Sequence, residues 1–403
     1  MMKHLIVNGF KIFFVCLLLS SLTSIASAGS DNAHPRKIVV FSETFVNQPA
    51  QAALVKKFGV TAIKQLPAIN GSAVYLPPQA KASLLADPNV LRIDDDLIIN
   101  ATGKPSKPSK PGKPSNPQPD EVLPWGIDRI NAELAWQTTA GSAVKVAILD
   151  TGIDLNHPDL KDNIKGNFNA INPRKSGQDD NGHGTHVAGT VAAVNNDIGV
   201  IGAAPEAYLY AVKVLKSDGS GWLSDLIEGL GWCINNQMQI VNMSLGSSGD
   251  NQSFHDAITA AYNAGIILVA AAGNNGTVGG AIDYPGRYQE TITVSAIDQN
   301  DMLSYFSSYG PEVDLAAPGS DIYSTYKDTD YEYLSGTSMA TPHVTGIAAL
   351  VCATEIDPSY DINTNSIWDP NEVKNKLQDT AESLGLNSYE QGAGLVRADI
   401  SVQ

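Results

Sequence analysis

The chain has 403 residues, enough to bury one large core and a smaller one. With 43% hydrophobic residues, 35 glycines and only 17% charged residues, it reads as globular and α/β-like and not as a disordered chain. The net charge is −16, and from Glu121 onward 35 acidic residues stand against 13 basic ones, a net of −22, which weighs against nucleic acid and anionic membranes as partners.

At the N-terminus, Lys3 and Lys11 precede an apolar run from Ile12 to Leu19, followed by small residues and Ala26-Ser27-Ala28. This is the pattern of a secretory signal with an A-x-A cleavage site. Residues 1–28 are therefore expected to be removed and the product secreted, to a periplasm or the medium. The run is too short to span a bilayer and no later segment reaches that length, so no membrane partner is expected. Removal takes Cys16 with it and leaves Cys233 and Cys352, both in apolar, helical contexts. Export permits a disulfide, but buried thiols are the simpler reading.

Residues 36–100 read as a compact α+β unit. RKIVVFSE is strand-like, PAQAALVKKFG is an amphipathic helix ending at Gly59, and SAVYLP is a strand. PPQAKASLLAD is a helix starting after proline, and NVLRIDDDLII is a closing strand. A β-α-β-β-α-β order of this size predicts a split, ferredoxin-like sandwich. Residues 103–119, GKPSKPSKPGKPSNPQP, then place proline at nearly every third position, with four lysines. Such a stretch cannot form a packed core; residues 103–120 are expected to be an extended, solvated linker.

From Glu121 the pattern becomes alternating strands and helices. AVKVAILD is apolar on both faces, as a strand buried in a parallel sheet must be. AYLYAVKV, QIVNMSL, GIILVAAAG and TITVSAI repeat that signal, with the helix-length segments SDLIEGLGWCINNQ and SFHDAITAAYNAG between them. Residues 121–403 are accordingly predicted to be a doubly wound, mostly parallel α/β sheet.

Three blocks in this part carry chemistry: VAILDTGID around Asp150, NGHGTHVAGT around His183 and SGTSMATPHV around Ser338. Each brings one member of an acid–imidazole–hydroxyl set to a glycine-containing turn. A serine hydroxyl needs a base within hydrogen-bond reach, and the base needs a partner that fixes its tautomer. Asp150 ends a strand and Asn274 follows one, so both belong at carboxyl ends, where open α/β sheets build their sites. His183 and Ser338 each begin a helix of small residues, with Pro342 expected in the first turn or so of the second. His157, His186 and His343 read as packing or hydrogen-bonding residues, because no cysteine or carboxylate at ligand spacing completes a zinc site.

From about Val122 to the C-terminus the chain resembles the subtilisin-like serine peptidases, in the chain order Asp–His–Ser of that family. The resemblance implies that Ser338 is the nucleophile, His183 the general base and then acid, and Asp150 its orienting partner. It makes Asn274 the side-chain donor of an oxyanion hole, with the backbone N–H of Ser338. It places Ser244, Leu245 and Gly246 on one side of an extended substrate, and Gly219, Ser220 and Gly221 on the other. Ala271, Ala272 and Gly273 then form a wall of the pocket for the residue before the cut. Asp283 aligns at that pocket's floor, where a carboxylate would admit Lys or Arg; capping of its loop at a solvent face is the simpler reading.

The resemblance also implies calcium, held by the loop Val194, Asn196, Ile198 and Val200 together with Asp159 and Glu121. Glu312 and Asp314, near Gly286 and Tyr288, match a weaker cation position. Asp361, Asn363, Asn365, Asp369 and Glu372 match the side-chain ligands of an EF-hand loop, although Ser366 stands where that loop wants glycine; Asp369, Pro370 and Glu372 fit a helix start equally well. Residues 29–102 resemble, more loosely, the inhibitory propeptides of the family. The expected function is a secreted serine endopeptidase, made as a self-processing zymogen and working as a monomer on protein or peptide substrates, with its own propeptide as a partner. A catalytically silent, peptide-binding relative is the alternative, and an intact Asp150, His183, Asn274 and Ser338 set speaks against it.

Overall fold

The computed structural model describes residues 34–105 and 118–403. The expected signal segment and most of the expected linker lie outside these residues. Residues 141–318 supply a seven-stranded sheet in the order Leu315–Pro318, Thr291–Ile297, Ile267–Ala271, Ile240–Met243, Lys145–Asp150, Tyr208–Lys213, Ile164–Asn169, with every neighbouring pair parallel. Lys145–Asp150 comes first in sequence yet sits inside the sheet, so the winding reverses there. Open α/β sheets leave a crevice beyond the carboxyl end of such a strand.

Both sheet faces are covered, which explains the unbroken apolar runs of its strands. On one face lie the helices His183–Ala192 and Thr337–Cys352, packed with Ile148, Val269 and Val294. On the other lie Leu223–Asn235 and Gln252–Asn263, packed with Leu149, Val241 and Leu268. Cys233 and Cys352 are free thiols, and burial pushes both up, Cys352 to about 12.

The N-terminal unit is an antiparallel sheet, Thr61–Leu66, Gly71–Tyr75, Arg36–Phe41, Val90–Asp95, backed by the helices Gln48–Lys57 and Pro78–Leu85. Phe41, Leu54, Val74 and Leu84 form its own core, while Ile38, Val40, Leu66 and Ile69 pack into the core that holds the helices Leu223–Asn235 and Gln252–Asn263. This is the split β-α-β-β-α-β arrangement expected.

Three local expectations need correction. NVLRIDDDLII is two strands: Val90–Asp95 stays in the N-terminal sheet, and Ile98–Ala101 leaves it to join the C-terminal part. The linker is not a free tether from its first residue, because Gly103–Pro105 pairs antiparallel with Leu334–Gly336. Pro342 lies inside the helix Thr337–Cys352, past its first turn. A proline there removes one helix donor. The carbonyl left without it, that of Ser338, accepts instead from Ser244 Oγ at 2.9 Å.

Candidate active site

Asp150, the last residue of its strand, is fully buried. Its Oδ1 accepts from the Thr151 N–H at 2.7 Å and lies 2.8 Å from His183 Nδ1. A carboxylate only accepts, so Nδ1 carries the proton and Nε2 keeps its lone pair. His183 Nε2 is buried and has no partner among the described residues. Burial pulls the imidazolium down, and the charge and hydrogen bond of Asp150 more than reverse this, so His183 titrates above an ordinary histidine.

Local sequence explains why His183 stands there. Its helix opens with exposed donors that short polar side chains must satisfy. Asp179 accepts from the N–H groups of Asn181, Gly182 and Thr185, and Thr151 Oγ1 accepts from Gly184 N–H at 2.9 Å. A Cβ on Gly184 would fall 2.1 Å from the Gly152 carbonyl oxygen. Only glycine lets this helix begin against the strand end that carries Asp150.

Ser338 is the second residue of its helix and is fully buried. Its Oγ donates to the Ser244 carbonyl at 2.8 Å and accepts from Thr102 Oγ1 at 2.5 Å. Asn274 Oδ1 accepts from the N–H and Oγ1 of Thr337 at 3.0 and 3.1 Å. Both bonds use the oxygen, which fixes the amide and keeps its NH2 donors available. Thr337 was not singled out in the sequence, although it stands beside Ser338 in SGTSMA; neither was Thr102.

The segments expected to flank a substrate do flank a strand. Ile98–Ala101 lies between Ser220–Trp222 and Leu245–Gly246 as the middle of a three-stranded antiparallel sheet. Asn100 pairs with Ser220 and Gly246, and Ala101 with Leu245. Ala101 N–H donates to the Gly219 carbonyl at 2.9 Å, and Thr102 N–H to that of Ser244 at 3.4 Å. Gly221 pairs with Ile99, which is fully buried.

Asp283 is half-buried beside the segment that follows the strand Ile267–Ala271. A Cβ on Gly273 would meet its Oδ2 at 2.6 Å, and one on Gly246 would meet its Cβ at 2.8 Å. Its Oδ1 accepts from Asn275 Nδ2 at 3.0 Å, and burial raises the carboxyl above its ordinary value. The carboxylate therefore rests against both glycine segments and is not turned out at a solvent face. Ala271 ends its strand and Ala272 is buried; Gly273 N–H donates to Thr337 Oγ1 at 3.1 Å.

The loop 194–200 closes around Asp159 and Glu121. Asp159 Oδ2 accepts from Val200 N–H, Glu121 Oε2 from Asn196 N–H, and Asn196 Oδ1 from Ile198 N–H, at 2.9, 2.9 and 3.2 Å. The carbonyl of Asp159 takes Val194 N–H at 3.0 Å. Asp159 Oδ1 is buried without a hydrogen-bond partner among the described residues, and burial pushes that carboxyl up to about 7. A bare, desolvated carboxylate oxygen beside a second carboxylate and an amide oxygen fits a hard cation.

The weaker cation position looks different: Lys374 sits 2.8 Å from Asp314, whose Oδ1 also takes Gln378, so an ammonium already holds that carboxylate. In 361–372, Asp369 and Glu372 form a capping box at the start of the helix Pro370–Asp379, as the helix-start reading requires. His157, His186 and His343 bond the carbonyls of Asp330, Ile322 and Met339, and burial lowers all three.

A parallel α/β sheet with a carboxylate–imidazole pair beyond one strand end, and a serine hydroxyl at the start of a second helix on the same face, has the makings of a serine hydrolase. Residues 141–394 match the Subtilase family, and the chain belongs to it. It is 49% identical over 284 residues to the thermostable alkaline protease of Halalkalibacterium halodurans, covering 70% of this chain and 74% of that one. It is 48% identical over 283 residues to Subtilisin Savinase of Lederbergia lenta, covering 70% and 99%. To Subtilisin J of Geobacillus stearothermophilus it is 36% identical over 401 residues, 98% of this chain and 97% of that one. The activity is that of a subtilisin-like serine endopeptidase, and its substrates are proteins.

Proposed function

We propose that the protein is made as a zymogen, cuts itself, and then hydrolyses peptide bonds through an acyl-enzyme on Ser338. The observation that carries this reading is the strand Ile98–Ala101, held between Ser220–Trp222 and Leu245–Gly246 with Thr102 against Ser338 Oγ. An extended peptide paired on both edges beside a serine hydroxyl is a substrate's posture. In the precursor the same strand denies the cleft to other peptides, which makes residues 29–102 an inhibitor until they leave.

The chemistry follows from the proton positions. Nδ1–H is committed to Asp150, so Nε2 is the base. For attack, the Ser338 hydroxyl proton turns from the Ser244 carbonyl to Nε2 while Oγ adds to the substrate carbonyl carbon. Negative charge then develops on the carbonyl oxygen, where the Asn274 amide and the Ser338 N–H donate. His183 returns the proton to the leaving nitrogen; water repeats the sequence on the ester. Gly219, Ser220, Gly221, Ser244, Leu245 and Gly246 read peptide backbone. Ala271, Ala272 and Gly273 wall the pocket for the residue before the cut, with Asp283 beneath.

Calcium would be held by Glu121, Asp159 and Asn196 and by the carbonyls of Val194, Ile198 and Val200, and it stabilises the fold without taking part in the reaction. The N-terminal signal pattern supports secretion, and among the described residues no helix is long and apolar enough to cross a membrane. The excess of acidic residues fits a monomer with no nucleic-acid partner. Fluorophosphonate labelling tests the centre: wild type should label on Ser338 and Ser338→Ala should neither label nor mature. Hydrolysis surviving in Ser338→Ala would overturn the mechanism.

A further inference from the structure

We propose that the precursor cuts itself at the Thr102–Gly103 bond and that the enzyme keeps residues 103–120 as an N-terminal lysine–proline tail. The inference rests on the peptidase reading above and adds the bond. Two pairings bracket that bond. On its acyl side, Asn100 and Ala101 are in register with Gly246 and Leu245, and Thr102 N–H reaches the Ser244 carbonyl. On its leaving side, Gly103 stands opposite Gly336, two residues before the nucleophile, and Lys104 and Pro105 follow opposite Ser335 and Leu334. Between them Thr102 Oγ1 lies 2.5 Å from Ser338 Oγ. Moving the cut one residue upstream would require Ala101 to give up both Leu245 and the Gly219 carbonyl.

The step balances with water as the co-reactant. Ser338 Oγ bonds to the Thr102 carbonyl carbon and His183 takes its proton. The Thr102 C–Gly103 N bond breaks, and that proton goes to Gly103, now a free amine. Water then releases Thr102 as a carboxylate and restores the serine hydroxyl. The tail survives the same chemistry because each of its four lysines, Lys104, Lys107, Lys110 and Lys113, is followed directly by proline. Proline has no N–H and a fixed φ, which suits it poorly to the position after a cut in a paired strand.

Intact masses of both fragments from an early-quenched wild-type precursor test this. The N-terminal fragment should end at Thr102 and the enzyme begin at Gly103. Fragments that abut at any other bond overturn the proposal while leaving the peptidase reading intact; no cut together with no fluorophosphonate label would instead sink that reading. Later trimming is distinguishable, because the released fragment would still end at Thr102; a mature enzyme that begins beyond Gly103 with that fragment intact would overturn the retained tail and leave the bond standing. In parallel, Gly103→Pro should slow the first cut at least tenfold, and Lys110→Ala should leave its rate unchanged. A Gly103→Pro precursor that matures at the wild-type rate overturns the assignment.

Discussion

Replacing Asp283 by Asn tests whether the pocket before the cut selects basic residues. The carboxylate sits against Gly246 and Gly273, half-buried, with Oδ1 on Asn275 and Oδ2 without a hydrogen-bond partner among the described residues. An ammonium brought to about 4 Å gains roughly 4 kcal/mol at an effective dielectric constant near 20. Desolvating the ammonium takes back about half, which leaves roughly 2 kcal/mol, or about thirtyfold in the ratio of kcat/KM. Asp283→Asn keeps the shape and removes the charge. The ratio of kcat/KM for two peptides that differ only in Lys or Phe before the cut should fall about thirtyfold in the variant, through the lysine peptide alone. Burial raises the Asp283 carboxyl, so its ionised form is lost on acidification sooner than an ordinary aspartate's. The wild-type preference for lysine should therefore fade as pH drops, from above the usual carboxylate range. A ratio that changes less than threefold in Asp283→Asn would refute the assignment of Asp283 to the pocket. Thr102 at the proposed self-cut is no objection, since an intramolecular cut needs little help from a side-chain pocket.

The remaining predictions concern the triad, the calcium loop and the propeptide contact. Because His183 titrates above an ordinary histidine and must be neutral to act, kcat/KM should fall on the acid side with a midpoint above 6.5. Asp150→Asn should lower turnover by about 10⁴-fold and move that midpoint down; an unmoved midpoint would detach the pH profile from His183. In the Ser338→Ala background, where autolysis cannot interfere, a chelator should lower Tm by about 3–5 °C, from about 2.7 kcal/mol at a hundredfold saturation. Asp159→Asn should abolish the difference, and a Tm indifferent to chelator would remove the calcium assignment. Lys64 reaches Asp225 and Glu228 at 2.5 and 2.6 Å across the propeptide contact. Lys64→Met should speed release of the cut propeptide about thirtyfold, near 2 kcal/mol, in a competition assay for the freed site; an unchanged release rate would mean the cluster holds nothing.

What the sequence carried was chemistry with a local signature. Asp150, His183 and Ser338 announced themselves because glycine-flanked turns after apolar runs leave few other places for such residues. The five inner strands of the seven-stranded sheet were legible because runs apolar on both faces mark strands buried in a sheet; the edge strands were not, Leu315–Pro318 being only four residues long and Ile164–Asn169 only partly buried. Thr61–Leu66 escaped notice because it is an edge strand with its burial on one end only, and TAIKQL has no run to mark it. The split of the run after Val90 was hidden because Ile98 and Ile99 continue its apolar pattern while joining a different sheet. Thr102 and Thr337 were invisible for a deeper reason. A small hydroxyl residue has many ordinary uses, and only its partners across the fold, Ser338 and Asn274, give it a role.

The precursor contact has two parts, and the difference matters for activation. Strand pairing at Ile98–Ala101 is continuous with the proposed cut, so breaking one covalent bond leaves it in place. The rest of the contact is remote from the cut and joins apolar packing, through Ile38, Val40, Leu66 and Ile69, to ion pairs and hydrogen bonds. Arg36 bonds Asp96 and Ser224 Oγ, each at 2.8 Å, and Arg92 bonds Asp256. Asp96 also accepts from the Ser224 N–H at 2.8 Å, at the first turn of the helix Leu223–Asn235, where a carboxylate meets the positive end of the helix dipole. The acidic excess that weighs against nucleic acid as a partner thus has a local use: it receives Lys64 and Arg92 of the propeptide. If the proposed self-cut is right, cleavage and inhibition are separable, since the first needs only the register at Thr102 and the second persists until these pairs, the apolar packing and the strand let go together. On the proposed zymogen reading, activation would be governed by release, to which the apolar packing and the paired charges both contribute.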